Sequence, residues 1–251
     1  MRPIITLLTD FGTVDGYVGE MKGVVLSGAP EAEIVDITHD IPPQDVERAR
    51  LTLARVWRRF PRGTIHVVVV DPGVGSSRDA IAVSSDGYYL VGPDNGVLSA
   101  ALLAPSARVV SLAVAEHASA TFHGRDFFAP AAAALARGES LDALGVQAMN
   151  PVVRRTPEPK RRSDGAIEGE VIFVDRFGNA ITNLVGVRGG TIEVGKLAID
   201  VRRTYSEVEA GKPLALVGST GLLEIAVRDG DAAQTLGLER GSVVALRTSS
   251  S

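Results

Sequence analysis

The sequence contains no cysteine. Disulfides, thiol nucleophiles, thiolate zinc sites and iron–sulfur clusters are therefore excluded. Aromatic residues make up only 5% of the chain, too few for a broad stacking platform on single-stranded nucleic acid. Apolar runs such as 65–70 are far too short to cross a bilayer. The opening MRPIITLLTDFG has no extended apolar core and no small-residue cleavage site, so it reads as a first β-strand of a cytoplasmic protein. Charge of one sign is missing too: 26 Lys and Arg against 30 Asp and Glu give a net charge of −4. Neither nucleic acid nor a membrane is implied as partner. The one basic run, Lys160-Arg161-Arg162, lies among prolines and serines and reads as a solvated linker. There is no GxGxxG fingerprint, no P-loop and no internal repeat.

What is present is a chain of 251 residues, 45% hydrophobic, long enough for one large domain or two modest ones. Up to about residue 150, strand-like and helical segments alternate. Strands are expected at 4–8, 33–37, 65–70 and 108–112, and helices at 17–27, 45–60 and 129–137. The helix at 45–60 is amphipathic, with Val46, Ala49, Leu53, Val56 and Trp57 on one face. The unbroken branched run at 65–70 is that of a strand buried on both faces. Segments 80–84 and 88–91, flanking Ser85-Asp86-Gly87, read as a hairpin. This pattern predicts an α/β domain over 1–150 with a largely parallel central sheet. Residues 151–165, rich in proline and charge, read as a linker. From 166 to 251 the runs are short and mostly β, at 168–174, 180–184, 191–194, 196–201, 214–217, 222–227 and 242–247, which predicts a smaller all-β, barrel-like domain.

Functional groups of open α/β sheets collect where strands give way to loops. Asp10, in Thr9-Asp10-Phe11-Gly12, could accept hydrogen bonds from a ribose diol, ligate a metal or cap a turn. Asp71 and Arg78 bracket the tight loop DPGVGSSR, where they could pair. In TFHGRDFFAP, polar and charged groups crowd against three aromatics, and His123 is the best placed of the four histidines for proton chemistry. His39 precedes a turn, His66 lies within a strand and His117 in a polar stretch, and all three read as structural or solvated. In the C-terminal part, Asp175, Asn179 and Ser219 could together read a zwitterion or a base edge, or serve as turn residues.

The motifs TDFG, DPGVG, TFHGRD, DRFGN and GSTGLLEIAV, in that order, make the chain resemble the S-adenosylmethionine hydroxide adenosyltransferases, relatives of the fluorinase and chlorinase that use the same substrate. The resemblance spans nearly the whole chain. It implies an α/β domain followed by a barrel-like domain, and a homotrimer whose small-molecule sites lie between neighbouring subunits. It implies an Asp–Arg–His set at Asp71, Arg78 and His123. It implies Asp10 on the ribose hydroxyls, Phe122 near the sugar and Asp175 and Ser219 on the methionine end. Phe177, Asn179 and backbone near Ala226 and Val227 would take the adenine. The halogenating relatives have Tyr in place of Asp71, Tyr-Ser in place of His123-Gly124, Arg in place of Thr220, and, in the fluorinase, an extra loop after the Arg78 region; this chain has none of these.

The implied reaction is attack of water or hydroxide on ribose C5′, releasing adenosine and methionine. The leaving group is a neutral thioether and needs no general acid, so the chemical difficulty is activation and alignment of water. No step calls for a metal or organic cofactor. Three other readings remain at this stage: halide transfer, a metal-dependent hydrolase using Asp10, Asp40, Asp71, Asp94 and His123, and a non-catalytic adenosine or adenosylmethionine sensor.

Overall fold

The computed structural model describes residues 2–113, 118–187 and 189–248. The chain divides into two compact units, Met1–Arg155 and Thr156–Ser251.

In the first unit, strands β1 (Ile4–Thr9), β2 (Glu33–Thr38), β3 (Ile65–Val69), β4 (Ala80–Ser85), β5 (Tyr88–Pro93), β6 (Arg108–Leu112) and β7 (Gly145–Gln147) form one sheet in the order β2-β1-β3-β5-β4-β6-β7. The first four strands of that order are parallel. The remaining pairings are antiparallel, because β4 and β5 are joined by the hairpin turn at Asp86-Gly87, both with positive φ. In the central strand β3, Ile65, Val67 and Val69 point into one core and Val68 into the other, as the two-residue period of a strand requires. Helices α1 (Tyr17–Gly28) and α4 (Ala129–Ala136) cover the first face, with Met21, Val25, Ala132 and Leu135 buried there. Helix α2 (Val46–Val56), the short turn after it and the single turn α3 (Ser99–Leu102) cover the second, with Ala49, Leu53, Trp57 and Ala101 buried there. Asp45 caps α2 by accepting from the Arg48 N–H. Leu53 is fully buried, so truncation to Ala would cost about 2–5 kcal/mol.

Beyond α3 and β7, the chain runs back over this unit. The Val152 N–H donates to Asp94 Oδ1 at 2.8 Å and the Arg154 N–H to Ser99 Oγ at 2.8 Å.

The second unit contains β8 (Lys160–Arg161), β9 (Ile167–Val174), β10 (Ala180–Val185), β11 (Thr191–Val194), β12 (Leu197–Arg202), β13 (Pro213–Val217), β14 (Leu222–Val227) and β15 (Val243–Arg247), with one short helix, α5 (Ala232–Leu236). The order β10-β14-β13-β12-β11-β15-β9 is closed by a β9–β10 pairing, so seven strands make a barrel. All pairings in the ring are antiparallel except β12–β13. Val171, Leu184, Ile192, Ile199, Ala215, Ile225 and Val244 fill it. Lys160 and Arg161 form the short strand β8 against β9 while remaining exposed. No helix among the described residues is long and apolar enough to cross a membrane.

Candidate active site

Register explains why distant motifs meet. Thr9 at the end of β1 pairs with Val69 at the end of β3, so the residues that follow, Asp10 and Asp71, leave the sheet side by side. They do so at the carboxyl ends of parallel strands, where such sheets hold their ligands. The loop after Asp71 folds through turns from the Val74 N–H to the Asp71 carbonyl (3.2 Å) and from the Ser76 N–H to the Gly73 carbonyl (3.1 Å). These turns bring Arg78 back onto Asp71. Gly75 sits at φ +78, and a Cβ there would lie 2.6 Å from the Ala120 carbonyl oxygen, so the loop is packed directly on the segment leading to His123.

The third group arrives on an irregular turn. Residues Gly124–Phe128 form one turn of π-helix before α4, with the Ala129 N–H reaching the Gly124 carbonyl. Pro130, near the start of α4, has no N–H to donate to the preceding turn, which favours the wider geometry. The turn is braced by Arg125, which bonds both Asp126 and Glu20 of α1, and by the Ser119 N–H on Asp126 Oδ2 at 2.7 Å. The Arg125 bond, with a contribution from Ser119, holds the Asp126 carboxyl below its ordinary range although partial burial opposes it.

Arg78 then joins the other two. Its Nε donates to Asp71 Oδ1 at 2.8 Å, one terminal nitrogen bonds Asp71 Oδ2, and the same nitrogen lies 2.8 Å from His123 Nδ1. Arg78 and Asp71 side chains are 10% and 5% exposed, so this ion pair is well shielded from screening. A guanidinium can only donate, so His123 Nδ1 accepts and the ring proton is assigned to Nε2. Burial first, then the Arg78 charge, lower the His123 pKa from its ordinary 6.5.

Asp71 and His123 line a cavity of about 390 Å3 together with Asp10, Phe11, Tyr17, Gln44, Val74 and Phe122. That is the size class of small-molecule sites. The sequence-predicted residues of this unit, Asp10, Asp71, Arg78, Phe122 and His123, are thus brought to one place. Asp10 Oδ2 accepts the Gln44 N–H at 2.7 Å. Asp40 and Asp94 are not among the cavity's lining residues, and no cluster of three or more potential metal ligands occurs among the described residues.

In the second unit, Asp175 Oδ1 accepts the N–H groups of Phe177 and Asn179, both at 2.9 Å, and its Oδ2 accepts the Asn179 side-chain amide at 3.1 Å. Phe177 is 76% exposed at the tip of that turn, whereas Asn179 is buried. Ser219 is exposed in the turn between β13 and β14, and Ala226 and Val227 are buried on β14. A cavity of about 510 Å3 elsewhere on this unit, lined by Val187, Gly189, Val201, Arg202, Arg203 and Val217, offers no carboxylate or imidazole in that lining.

Four contributors escape sequence reasoning. Tyr17 and Phe11 stack edge-on with Phe122, the ring centroids 5.3 and 5.8 Å from its own. Gln44 adopts φ +66, which turns its N–H toward Asp10. Tyr205, hydrogen-bonded to Asn179, has a pKa raised by burial and then by the charges of Glu224 and Asp175. Only the aromatic of Phe11, inside the TDFG motif, left a signal in the sequence.

An α/β unit with an Asp–Arg–His set at its strand ends, followed by a closed β-barrel, defines the class of protein. Residues 5–145 match the N-terminal domain and residues 169–245 the C-terminal domain of the SAM hydroxide adenosyltransferases. The chain belongs to that family. It is 44% identical to the (R)-S-adenosyl-L-methionine hydrolase of Thermus thermophilus, over 98% of this chain and all of that one. A fluorinase from Actinopolyspora mzabensis is 27% identical over 97% of this chain and 96% of its own. The crystal structure of an uncharacterized conserved protein from Thermotoga maritima superposes with a TM-score of 0.88 at 36% identity, covering 96% of this chain and 99% of that one.

Proposed function

We propose that this protein hydrolyses S-adenosyl-L-methionine to adenosine and L-methionine, by attack of water or hydroxide on ribose C5′. The observation that carries the reading is the single guanidinium bonded to both Asp71 and His123 beside the cavity. The names of the relatives support it, and those names specify the (R) epimer, which we take as the preferred substrate.

The three groups divide the work. With Nδ1 occupied by Arg78, His123 offers Nε2–H and holds the water oxygen as a donor. Asp71 is the anion of the set and takes the water's proton, exchanging one of its bonds to Arg78. Arg78 keeps the other two in register and stabilises developing hydroxide character. The C5′–O bond forms as C5′–S breaks, methionine leaves with the electron pair as a neutral thioether, and the proton passes from Asp71 to solvent. Approach of hydroxide to a sulfonium neutralises charge, which a dry cavity favours.

Asp10 would hold the ribose diol through the oxygen edge that Gln44 leaves open, with Phe122 against the sugar. Asp175 and Ser219 would take the methionine end, and Phe177, Asn179 and the backbone at Ala226 and Val227 the adenine. These groups are split between the two units, which supports sites completed by a neighbouring subunit in a homotrimer. The reaction needs no metal, because the Arg78 cation already lies against both Asp71 and His123. The absence of cysteine, which suits a reducing compartment, supports a cytoplasmic setting. Halide transfer is disfavoured by Asp71 and His123 themselves, the positions at which the halogenating relatives differ.

The test is incubation of each resolved sulfonium epimer in 18O-water with chelator present. The expected result is adenosine carrying one 18O at its 5′ oxygen, formed faster from the (R) epimer. Unlabelled adenosine, a 5′-halogenated nucleoside in the presence of chloride or fluoride, or no turnover of either epimer would overturn the reading.

A further inference from the structure

The proposed reaction uses Asp10 but leaves unexplained the buried histidine behind it. His39 follows β2 as Asp10 follows β1, and the Leu8–Thr38 register sets them next to each other. The His39 residue is 5% exposed and Thr9 wholly buried. His39 Nδ1 lies 2.8 Å from Thr9 Oγ1, and Nε2 lies 3.1 Å from Asp36 Oδ1. The other Asp36 oxygen accepts Lys22 Nζ at 2.6 Å.

Proton bookkeeping gives this chain a direction. Thr9 Oγ1 accepts the Phe11 N–H at 3.3 Å, so its own proton is free for His39 Nδ1. The ring proton is then on Nε2, in close polar contact with the Asp36 carboxylate though short of hydrogen-bond alignment. Burial raises the Asp36 pKa, but the contacts with Lys22 and His39 outweigh it and keep the group ionised. The His39 backbone adds a second anchor, its carbonyl accepting the Gly12 N–H at 2.9 Å. Residues 9, 11 and 12 are thus all tied to His39 or through Thr9 to it, and from this turn Asp10 and Phe11 line the cavity.

A carboxylate, an imidazole and a hydroxyl in series is the order of a nucleophilic triad. A hydroxyl with no exposed surface cannot meet a substrate, so that role is excluded here. We propose instead that Asp36, His39 and Thr9 are positioning residues: a relay running inward from the exposed Asp36 carboxylate to the buried His39 and Thr9, which fixes the turn carrying Asp10 and so sets the enzyme's grip on the ribose hydroxyls. The inference rests on the reading that Asp10 holds the diol.

Adenosine and 2′,3′-dideoxyadenosine test it, because they differ only at the hydroxyls in question. Calorimetry on the parent should show tighter binding of adenosine, and Asp10→Ala, which deletes both acceptor oxygens, should remove that preference. Thr9→Val keeps shape and deletes the hydroxyl; His39→Leu deletes the ring nitrogens. Both should reduce the adenosine preference by about tenfold, the effect of misplacing one charge-assisted hydrogen bond. Dideoxyadenosine affinity should stay within about twofold, and Thr9→Val should raise KM far more than it lowers kcat. Asp36→Asn, which can still accept from Nε2, should lie between these and the parent. If folded Thr9→Val keeps the parent's preference, or weakens both nucleosides alike, the relay is refuted. If Asp10→Ala leaves the preference intact, the reading of Asp10 fails, and the relay with it.

Discussion

Arg78 is the residue on which the site's electrostatics turn, since it bonds Asp71 through two nitrogens and His123 through one of them. Lysine carries the same charge but lacks the planar fork. Arg78→Lys, Asp71→Asn and His123→Ala are each expected to lower kcat by about 100-fold or more, and the double variants by far less than the product, because the groups serve one step. Single-turnover rates with melting temperatures on the same proteins check this; folded variants that turn over at near the parent rate would remove these residues from the mechanism. Protonation of His123 would fall on Nδ1 and expel Arg78. Burial and the Arg78 charge hold its pKa below 6.5, so kcat should stay level near neutrality and fall only at more acid pH. His66 gives a separate acid response. Burial pushes it down to about 4, partly offset by the Trp57 backbone. Above pH 6.5 both folded and unfolded chains hold it neutral. Between 6.5 and 4 only the unfolded chain takes up the proton, so stability should fall by about 3 kcal/mol over that window. Urea unfolding at pH 7 and pH 4.5 should show a steeper loss in the parent than in His66→Asn. Asp71 and His123 were legible in the sequence because strand ends and crowded polar motifs mark themselves. Thr9, His39 and Gln44 were not, since their roles depend on a neighbouring strand's register and on one positive φ. His117 lies outside the described residues.

At the scale of elements, the site depends on two closely packed glycines, of which Gly75 leaves no room for a side chain. Gly75→Ala would place a methyl against the Ala120 carbonyl at a positive φ. Strain of about 1–3 kcal/mol is expected, seen as a drop in melting temperature of several degrees, together with loss of turnover as Arg78 is displaced. A Gly75→Ala variant with parent stability and activity would show that the loop is looser than described. In Gly124→Ala the added methyl would stand 3.1 Å from Met21 Sδ, a flexible neighbour, so a smaller effect is expected there. Elements with strong internal pattern were readable in advance: β3 from its branched run, α2 from its stripe, the β4–β5 hairpin from Asp86-Gly87. The π-turn before α4 and the three-residue strand β7 were not. One follows from a proline acting on the turn before it, and the other is too short to carry a period.

At the scale of the whole molecule, the proposal that neighbouring subunits share sites has a direct test. Asp71→Asn is defective in the first unit and Asp175→Ala in the second. Neither should be active alone, yet in trimers reassembled from equal amounts roughly a quarter of the sites would pair two intact halves. Recovery of about that fraction is expected, and none at all would indicate sites built within one chain. Two units, α/β then β, were visible in the change of run length near residue 150. Ring closure was not, because short strands reveal their lengths but not their partners, and the β9–β10 and β12–β13 pairings are both fixed by tertiary contact. That closure also governs how the protein breathes. In the open sheet, β7 can peel away after losing one neighbour. In the barrel β14 is held between β10 and β13, and the ring around it has no seam at which unzipping could start. Deuterium should therefore enter β7 within the earliest labelling times, and reach β14 amides only when the entire barrel opens.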